Sequence, residues 1–516
     1  MRKLLTLFAV AALCGAALTS THLQGSQPEA SPAQPLKAEK YRAKGKDAIP
    51  DQYIVVLNDE AAGFARRILF LAVATSLAGS ALAAAHQPAS KVDVRIDEAT
   101  RQAVIESVIK SLKQSYVFPE TAARMEADIR ERASRGEYAG VTLGPALAEL
   151  LTFHLREVSH DRHIHVAYSV GRLKRDGGQP SDDDEEYRRS ARLQNYGFER
   201  VGRLPGNVGY LDLRGFYRAG VAGETAAAAM TFLSETDALI IDLRLNGGGN
   251  PSMVALLSTY LFEGEPLHLS DVFWRDENRT EQLWTLPYVP GKRYANKPVY
   301  VLTGGQTFSA GEALAYFLKS LKRATVIGET TAGAANGGRG HRIGDHFEIT
   351  VPSGRVTSPI TGSNWEGTGV EPDVKVPAGI ALETAHLDAL RKLAVAEKDS
   401  DRARQLNASV RDAERSLAGA RAKLPPQIAP SVVGNTEFRL RGAGYARRVA
   451  LVGSFNHWGT IPTECARTGG EWVCRVDLAP GRYTYKFVVD GMRVIDPVNR
   501  NINVDERGDI ASVLTK

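Results

Sequence analysis

The chain has 516 residues, too many for one compact domain, so two or three are expected. With 43% hydrophobic and 24% charged residues it has the make-up of a folded soluble protein, which excludes wholesale disorder. A net charge of +5, with Lys and Arg scattered rather than massed, argues against nucleic acid as a partner. The three cysteines, Cys14, Cys465 and Cys474, form neither a CxxC nor a Cys/His zinc spacing, so no structural metal is expected.

Met1–Leu18 has a basic start (Arg2, Lys3) and an apolar run, the form of a secretory signal assigned here to residues 1–25. Leu13 before Cys14 does not fit a lipoprotein cleavage site, and no lipidation is expected. Residues 26–63 read as a linker by their Pro, Ser and Ala content. Within it Ile49–Leu57 resembles the first strand of a subtilisin-type propeptide, without the rest of that domain. Residues 64–86 hold a second signal-like segment, with Arg66 and Arg67 flanking an apolar core and an Ala-Leu-Ala end. Two export signals in series are rarely both used. Residues 1–63 are therefore expected to be a fused fragment or overextended reading frame, with a mature start near His86. If residues 68–84 are retained instead, they form a marginal membrane anchor, slightly short for a span.

Residues 88–160 read as a helical subdomain. Ile96, Val104, Ile105, Val108, Ile109 and Leu112 recur at helical spacing, Pro119 breaks the run, and Leu143–Val158 carries a second apolar face. At His163–Tyr168 the period changes to two, predicting a strand with His163 and His165 on one face. Gly171–Glu185 is a charged loop; Gly206–Phe216 and Ala238–Leu243 are strand-like, and strand–loop–helix units follow. Residues 161–379 thus predict an α/β domain with a mixed sheet covered by helices. Residues 380–430 read as a polar helical pair linking to the next domain, ended by Leu424–Pro430. Residues 431–516, with short alternating strands and Gly, Pro and Asn turns, predict an all-β immunoglobulin-like sandwich. Cys465 and Cys474 flank a hairpin turn and are the candidate disulfide; two buried thiols are the alternative.

Four stretches carry candidate chemistry. Lys297–Gly338 runs from a buried strand through a tight loop into a helix near Ala310, placing Ser309 at the helix start. There the free amides and helix dipole favour an alkoxide or oxyanion. Ser309-Ala-Gly-Glu312 also fits a capping box, so Ser309 reads either as nucleophile or as cap. Ala238–Asn250 ends an apolar strand in three glycines, which bring backbone N–H groups close to an anion or make only a tight turn. It lacks P-loop and dinucleotide spacing. Four histidines lie between His154 and His165, without a metalloprotease helix motif; one catalytic imidazole is favoured over a metal site. Asn364–Asp373 offers Glu366, Glu371 and Asp373 as the carboxylate that orients an imidazole, and spacing does not choose among them.

Taken together, Asp161-x-His163, IDLRLNGGG, TFSAGEALAY, GETTAGAANGG and EGTGVEPDV resemble the tail-specific (C-terminal processing) serine peptidase superfamily. The resemblance is to its tricorn-like and interphotoreceptor-retinoid-binding-protein-like branch and covers about Val92–Leu390. It implies Ser309 as nucleophile, His163 as general base and Glu366 as acidic partner. It also implies an oxyanion hole from Gly247 or Gly248 with the Ala310 amide. The lysine of the processing-protease dyad falls at Ala334, and Arg162 stands where a serine precedes the histidine. No room is left between Val170 and Gly206 for a PDZ domain. Val449–Trp458, Gly481–Gly491 and Ile495-Asp-Pro497 resemble the glycogen-binding early-set sandwich. Trp458 and Lys486 match its glycan-binding positions, while its second platform Trp is replaced near Met492-Arg493.

The expected function is an exported serine endopeptidase, periplasmic or secreted, acting on peptides or unfolded protein through a Ser309 ester, with no cofactor. The alternatives are a non-catalytic binder of apolar ligands on the same fold, or a scaffold held to polysaccharide by the sandwich. N-terminal sequencing of the exported protein is expected to find a start near His86; a start near residue 20 would refute the reading of residues 1–63.

Overall fold

The computed structural model describes residues 93–173, 184–425, 429–459 and 462–516. The two signal-like segments, the linker, the propeptide-like strand and the middle of the charged loop lie outside these residues. Three helices come first: α1 (Glu98–Ser115), α2 (Pro119–Ser134) and α3 (Gly144–Ser159). Asp97 caps α1 by accepting from Thr100 N–H at 2.8 Å. Pro119 opens α2 in its first turn, where its missing N–H costs nothing. Helix α3 is apolar nearly all round because it is buried on two sides. Leu147, Leu151 and Leu155 join the helical core, and Phe153 inserts into the core of the C-terminal sandwich.

The chain continues through β1 (His165–Tyr168), α4 (Glu185–Leu193), β2 (Phe198–Leu204), β3 (Val208–Leu213), α5 (Ala219–Leu233), β4 (Ala238–Asp242) and α6 (Pro251–Leu261). Then follow β5 (His268–Trp274), β6 (Arg279–Trp284), β7 (Val299–Thr303), α7 (Ala310–Ser320), β8 (Thr325–Gly328), β9 (Gly337–Arg342), β10 (Phe347–Thr357) and β11 (Val374–Lys375). Six strands form one sheet in the order β11-β8-β7-β4-β3-β2, parallel except at the β2 edge. Its strands are apolar on both faces. Leu239, Ile241, Val299 and Val301 pack with α5, α6 and α7, while Ala238, Ile240, Tyr300 and Leu302 pack on the opposite side.

That opposite side is covered by α8 (Ala381–Ala396) and α9 (Ser400–Ala422), whose Leu387, Leu390, Leu406 and Leu417 are buried there. Residues 380–422 are therefore a layer of the α/β domain, and the reading of this stretch as a connector is corrected. A two-sided sheet needs a second cover, and α8 needs only one apolar stripe to provide it.

A second sheet, unforeseen from sequence, is antiparallel: β1-β10-β5-β6, with β9 also paired to β10. Its β9 reads GGRGHR, with no apolar alternation to reveal it. The strand predicted from His163 begins only at His165, and His163 lies in the preceding turn.

The C-terminal domain is a β-sandwich of β12 (Thr436–Leu440), β13 (Val449–Gly453), β14 (Thr463–Glu464), β15 (Ala466–Thr468), β16 (Glu471–Val476), β17 (Arg482–Val489), β18 (Met492–Val494), β19 (Ile502–Val504) and β20 (Ile510–Thr515). One sheet runs β12-β16-β15; the other runs β14-β13-β17-β20-β19, with β18 on β17. Cys465 and Cys474 are bonded one step beyond the Ala466–Val473 pair, with Cα atoms 4.4 Å apart. Among the described residues, no helix is long and apolar enough to cross a membrane.

Because Phe153 is 1% exposed and ties α3 to the sandwich, Phe153→Ala is expected to cost about 3–5 kcal/mol, measured by denaturant unfolding.

Candidate active site

The site lies where β4, β7 and β8 end, at the carboxyl edge of the parallel sheet, the usual place for ligands in such folds. After β7, Thr307 fixes the loop into α7. Its hydroxyl donates to Leu243 O at 2.7 Å and accepts from Gly304 N–H at 3.0 Å. Phe308 N–H donates to Asn246 O at 3.0 Å, tying this loop to the one after β4. Ser309 follows with φ 51° and ψ −118°, unlike the extended backbone of an ordinary N-cap. A strained residue at a strand-to-helix turn is how a nucleophilic serine is lifted into a cleft.

Glu312 is fully buried in the first turn of α7 and gathers four donors. Its Oε2 accepts from Ser309 N–H (2.8 Å) and Ala334 N–H (2.9 Å); its Oε1 accepts from Gly333 N–H and the Thr331 hydroxyl, both at 2.6 Å. The capping role of Glu312 is thus joined to a larger one, holding the loop after β8. Burial raises its carboxyl above the ordinary value, against the pull of these bonds.

Gly248 sits against Ser309. A Cβ built on it would lie 2.7 Å from Ser309 Cβ and 2.9 Å from Phe308 O, and its φ is +91°. Only glycine fits there. The two glycine amides suggested for the oxyanion hole are already bonded: Gly247 N–H to Arg214 O (3.1 Å) and Gly248 N–H to the Asn246 side chain (2.8 Å). As the site stands they are not free donors, which corrects that part of the sequence reading. Ala310 N–H opens α7, where amides have no partner within the helix.

Ser309, Ala310, Gly247, Gly248 and His163 line one cleft of about 1270 Å³ between the two sheets. The His163 ring packs on Phe308, the residue before Ser309, with centroids 4.7 Å apart. Its backbone N–H donates to Asp161 Oδ1 at 2.9 Å, so the Asp-x-His spacing makes a local turn that aims the ring. Burial, then the Arg156 charge, push the imidazole down to about 4, so it is neutral at physiological pH.

Glu366 lies behind His163. One donor atom each of Asp161, His163 and Glu366 lie within 4.8 Å of one another. Glu366 Oε2 accepts from Ala335 N–H (2.6 Å) and Asn336 N–H (3.0 Å), leaving Oε1 without a hydrogen-bond partner. His163 Nδ1 is likewise buried and unpartnered. Both Asp161 oxygens are engaged, Oδ1 by His163 N–H and Oδ2 by Asn336 Nδ2 (3.2 Å) and the Tyr116 hydroxyl (3.3 Å). One free carboxylate oxygen and one free ring nitrogen suit a histidine–glutamate pair better than a metal centre. Burial raises the Glu366 carboxyl, and the nearby Asp161 charge raises it further; Asp161 is raised by burial. Glu371 and Asp373 point elsewhere: Glu371 pairs with Lys375, and Asp373 holds Val326 N–H and Lys319.

Trp458 and Lys486 are in the sandwich. Trp458 is half-buried, and the Arg493 guanidinium bonds its carbonyl and stands 6.0 Å from its ring centroid. Lys486 is mostly buried and pairs with Glu149 of α3. Asp161, Asn246, Asn336 and Trp365 were missed as site residues. Trp365 walls the cleft and donates from Nε1 to Ala334 O at 2.9 Å. Of these only Asp161, two before His163, carried a readable signal.

Residues 207–376 match the family described as Peptidase family S41, and residues 95–196 match its N-terminal domain in eukaryotic IRBP. The core resembles peptidase family S41. Residues 435–515 match the glycogen recognition site of AMP-activated protein kinase. The carboxy-terminal-processing protease of Bartonella bacilliformis is 28% identical over 180 residues, 34% of this chain and 40% of its own. The 5'-AMP-activated protein kinase subunit beta-1 of Rattus norvegicus is 32% identical over 133 residues, 23% of this chain and 48% of its own. The chain thus spans less than half the length of these curated relatives. Among solved structures, mature CPAF is 13% identical with a TM-score of 0.40, covering 57% of this chain and 98% of its own. The photosystem II D1 C-terminal processing protease is 15% identical with a TM-score of 0.34, covering 55% and 95%.

Gly248→Ala is expected to displace Ser309 and cut its labelling by a serine-directed fluorophosphonate at least about tenfold; loss of that rate with the melting temperature recorded alongside is the check.

Proposed function

We propose that this chain is a serine peptidase whose acyl-enzyme forms on Ser309. The observation that carries the reading is the meeting of a strained Ser309, a neutral, half-buried His163 and a Gly248 admitting no side chain in one cleft. Ser309 Oγ attacks the peptide carbonyl while His163 takes its proton. As the C–N bond breaks, His163 returns that proton to the leaving amine. Water then repeats the sequence on the ester, releasing the acid and free Ser309. Ala310 N–H supports the oxyanion, and Gly248 N–H joins it once released from Asn246 Oδ1.

Glu366 is the partner of His163 Nδ1. For Nε2 to act as base, Nδ1 carries the proton and directs it to the Glu366 carboxylate, so Glu366 must be ionised. Its carboxyl is held above its ordinary value by burial and by Asp161, so it ionises only as pH rises through that raised value. The cleft near Ser309 is walled by Val254, Ala313, Phe317 and Trp365, which fits apolar side chains of an extended peptide. Export is proposed on the signal-like leader pattern and on the Cys465–Cys474 bond, which fits an oxidising compartment.

Incubated with casein, the full chain is expected to cleave it. Ser309→Ala and His163→Ala are each expected to lower the rate by about 10³-fold or more. Undiminished cleavage by Ser309→Ala refutes the proposal.

In a pH profile of kcat/KM, the acid limb is expected to follow Glu366, with activity rising as pH rises. Because Gln does not titrate, Glu366→Gln is expected to abolish that limb and leave a slower rate controlled by His163, whose own titration lies near 4. An acid limb unmoved by Glu366→Gln refutes its assignment as the partner.

A further inference from the structure

The loop after β8 carries Ala332 to Asn336 past Ser309 and His163, and its carbonyls are held from the sandwich. Arg447, just before β13, donates from Nη2 to Thr331 O (2.8 Å) and Ala332 O (2.5 Å). Ala332 O also accepts from Arg162 Nη1 at 2.8 Å, and Arg162 is the neighbour of His163. The other arm of Arg162, Nη2, donates to Asp490 O at 2.6 Å, in the turn between β17 and β18. Asp490 Oδ1 in turn accepts from Arg447 N–H (3.0 Å) and Arg448 N–H (2.8 Å), and Oδ2 lies 3.8 Å from Arg162.

The turn bearing His163 is clamped from its other side by Arg156 of α3. Arg156 donates to Arg162 O (2.6 Å) and Ile164 O (2.8 Å), and its second arm reaches Met492 of β18. His160, at the end of α3, stacks on Tyr445 at 5.6 Å. Four segments therefore meet in one guanidinium network: the histidine turn, the loop after β8, and the Arg447 and Asp490 turns of the sandwich. The side chains of Arg162 and Asp490 are only 16% and 9% exposed, so these charge-assisted bonds are shielded from water.

We propose that the C-terminal sandwich completes the active site, with Arg447 and Asp490 as positioning residues that fix the loop after β8 against the His163 turn. They touch no reacting atom. They act through Ala332 and Arg162, whose backbones lead directly to the amides held by Glu312 and to His163. The inference rests on the peptidase reading for its consequence in rate, but the contact itself is testable without it.

The test compares full-length wild type with Arg447→Ala, Arg447→Lys and Asp490→Asn, and with Arg439→Ala as control. Among the described residues the Arg439 side chain bonds to Glu437 and Glu471 on the sandwich surface, away from this network. In kinetics on a casein-derived peptide, Arg447→Ala is expected to lower kcat by about tenfold to a hundredfold with KM nearly unchanged. Arg447→Lys, which keeps a cationic donor, is expected to recover part of that loss, and the control to match wild type. Hydrogen–deuterium exchange over residues 330–336 is expected to quicken in Arg447→Ala and Asp490→Asn and not in the control.

Unchanged exchange and unchanged kcat in both variants overturn the proposal. A parallel loss in the control, or a loss in KM alone, also overturns it. If wild type cleaves nothing, the peptidase reading fails, and the exchange data still decide whether the sandwich holds the loop. Should Arg447→Ala fail to fold, Arg447→Lys and Asp490→Asn supply the same comparison.

Discussion

Backbone N–H groups removed from water need acceptors, and residues 333–336 find all of theirs in two glutamates. Glu312 takes Gly333 and Ala334; Glu366 takes Ala335 and Asn336. Leaving such a group unpaired costs about 1–3 kcal/mol, so four consecutive amides amount to a strong constraint on where the two carboxylates stand. Glu312 is also bonded to Ser309 N–H, and Glu366 is close to His163. The loop after β8 therefore sets the spacing between the proposed nucleophile and the proposed base, although it contributes no reacting group itself. Ala334, which the motif resemblance aligns with the dyad lysine, is small and fully buried.

Three carboxyls, the buried Asp161 and Glu312 and the half-buried Glu366, share this small region, and loss of contact with water raises all three. They survive there by different means. Glu312 is saturated with donors, Asp161 has three, and Glu366 keeps one buried oxygen without a partner in the same cluster as the buried, unpartnered Nδ1 of His163. That asymmetry distinguishes Glu366 from the others: its unfilled oxygen is able to accept a hydrogen bond from the imidazole near it.

The sandwich resembles a sugar-binding module, yet Lys486 faces Glu149 and the 490–493 turn faces Arg156 and Arg162. Lys486 and the 490–493 turn are thus engaged with the core, whereas Trp458 is held within the sandwich by Arg493. Phe153 supplies the apolar part of the same contact. A face suited to holding a ring by stacking and charge is also suited to holding guanidinium groups and a helix side, because both rely on flat apolar area edged with polar atoms.

The local parts were legible because they depend on neighbours along the chain. The apolar spacing of α1 and α3, the glycine run after β4, and the serine at a strand-to-helix turn each follow from short-range sterics and periodicity. The motif order supported Ser309, His163 and Glu366 as candidates, and the Asp161–His163 spacing is itself a local turn. Other features depended on distant chain segments meeting. The Gly-rich strand β9 pairs with β10 without any apolar pattern of its own, and α8 and α9 looked like a connector until a sheet face required a cover. Gly247 and Gly248 read as free donors because nothing in a linear chain announces that Arg214 O and the Asn246 side chain will reach their amides. The sequence by itself determined which residue types could perform acyl transfer and roughly where each secondary element lies. Only the tertiary structure decided which hydrogen bonds are already occupied, which carboxylate is left unfilled, and that the sandwich borders the site. Each of those outcomes depends on burial and on long-range pairing, which are properties of the packed chain rather than of any local stretch.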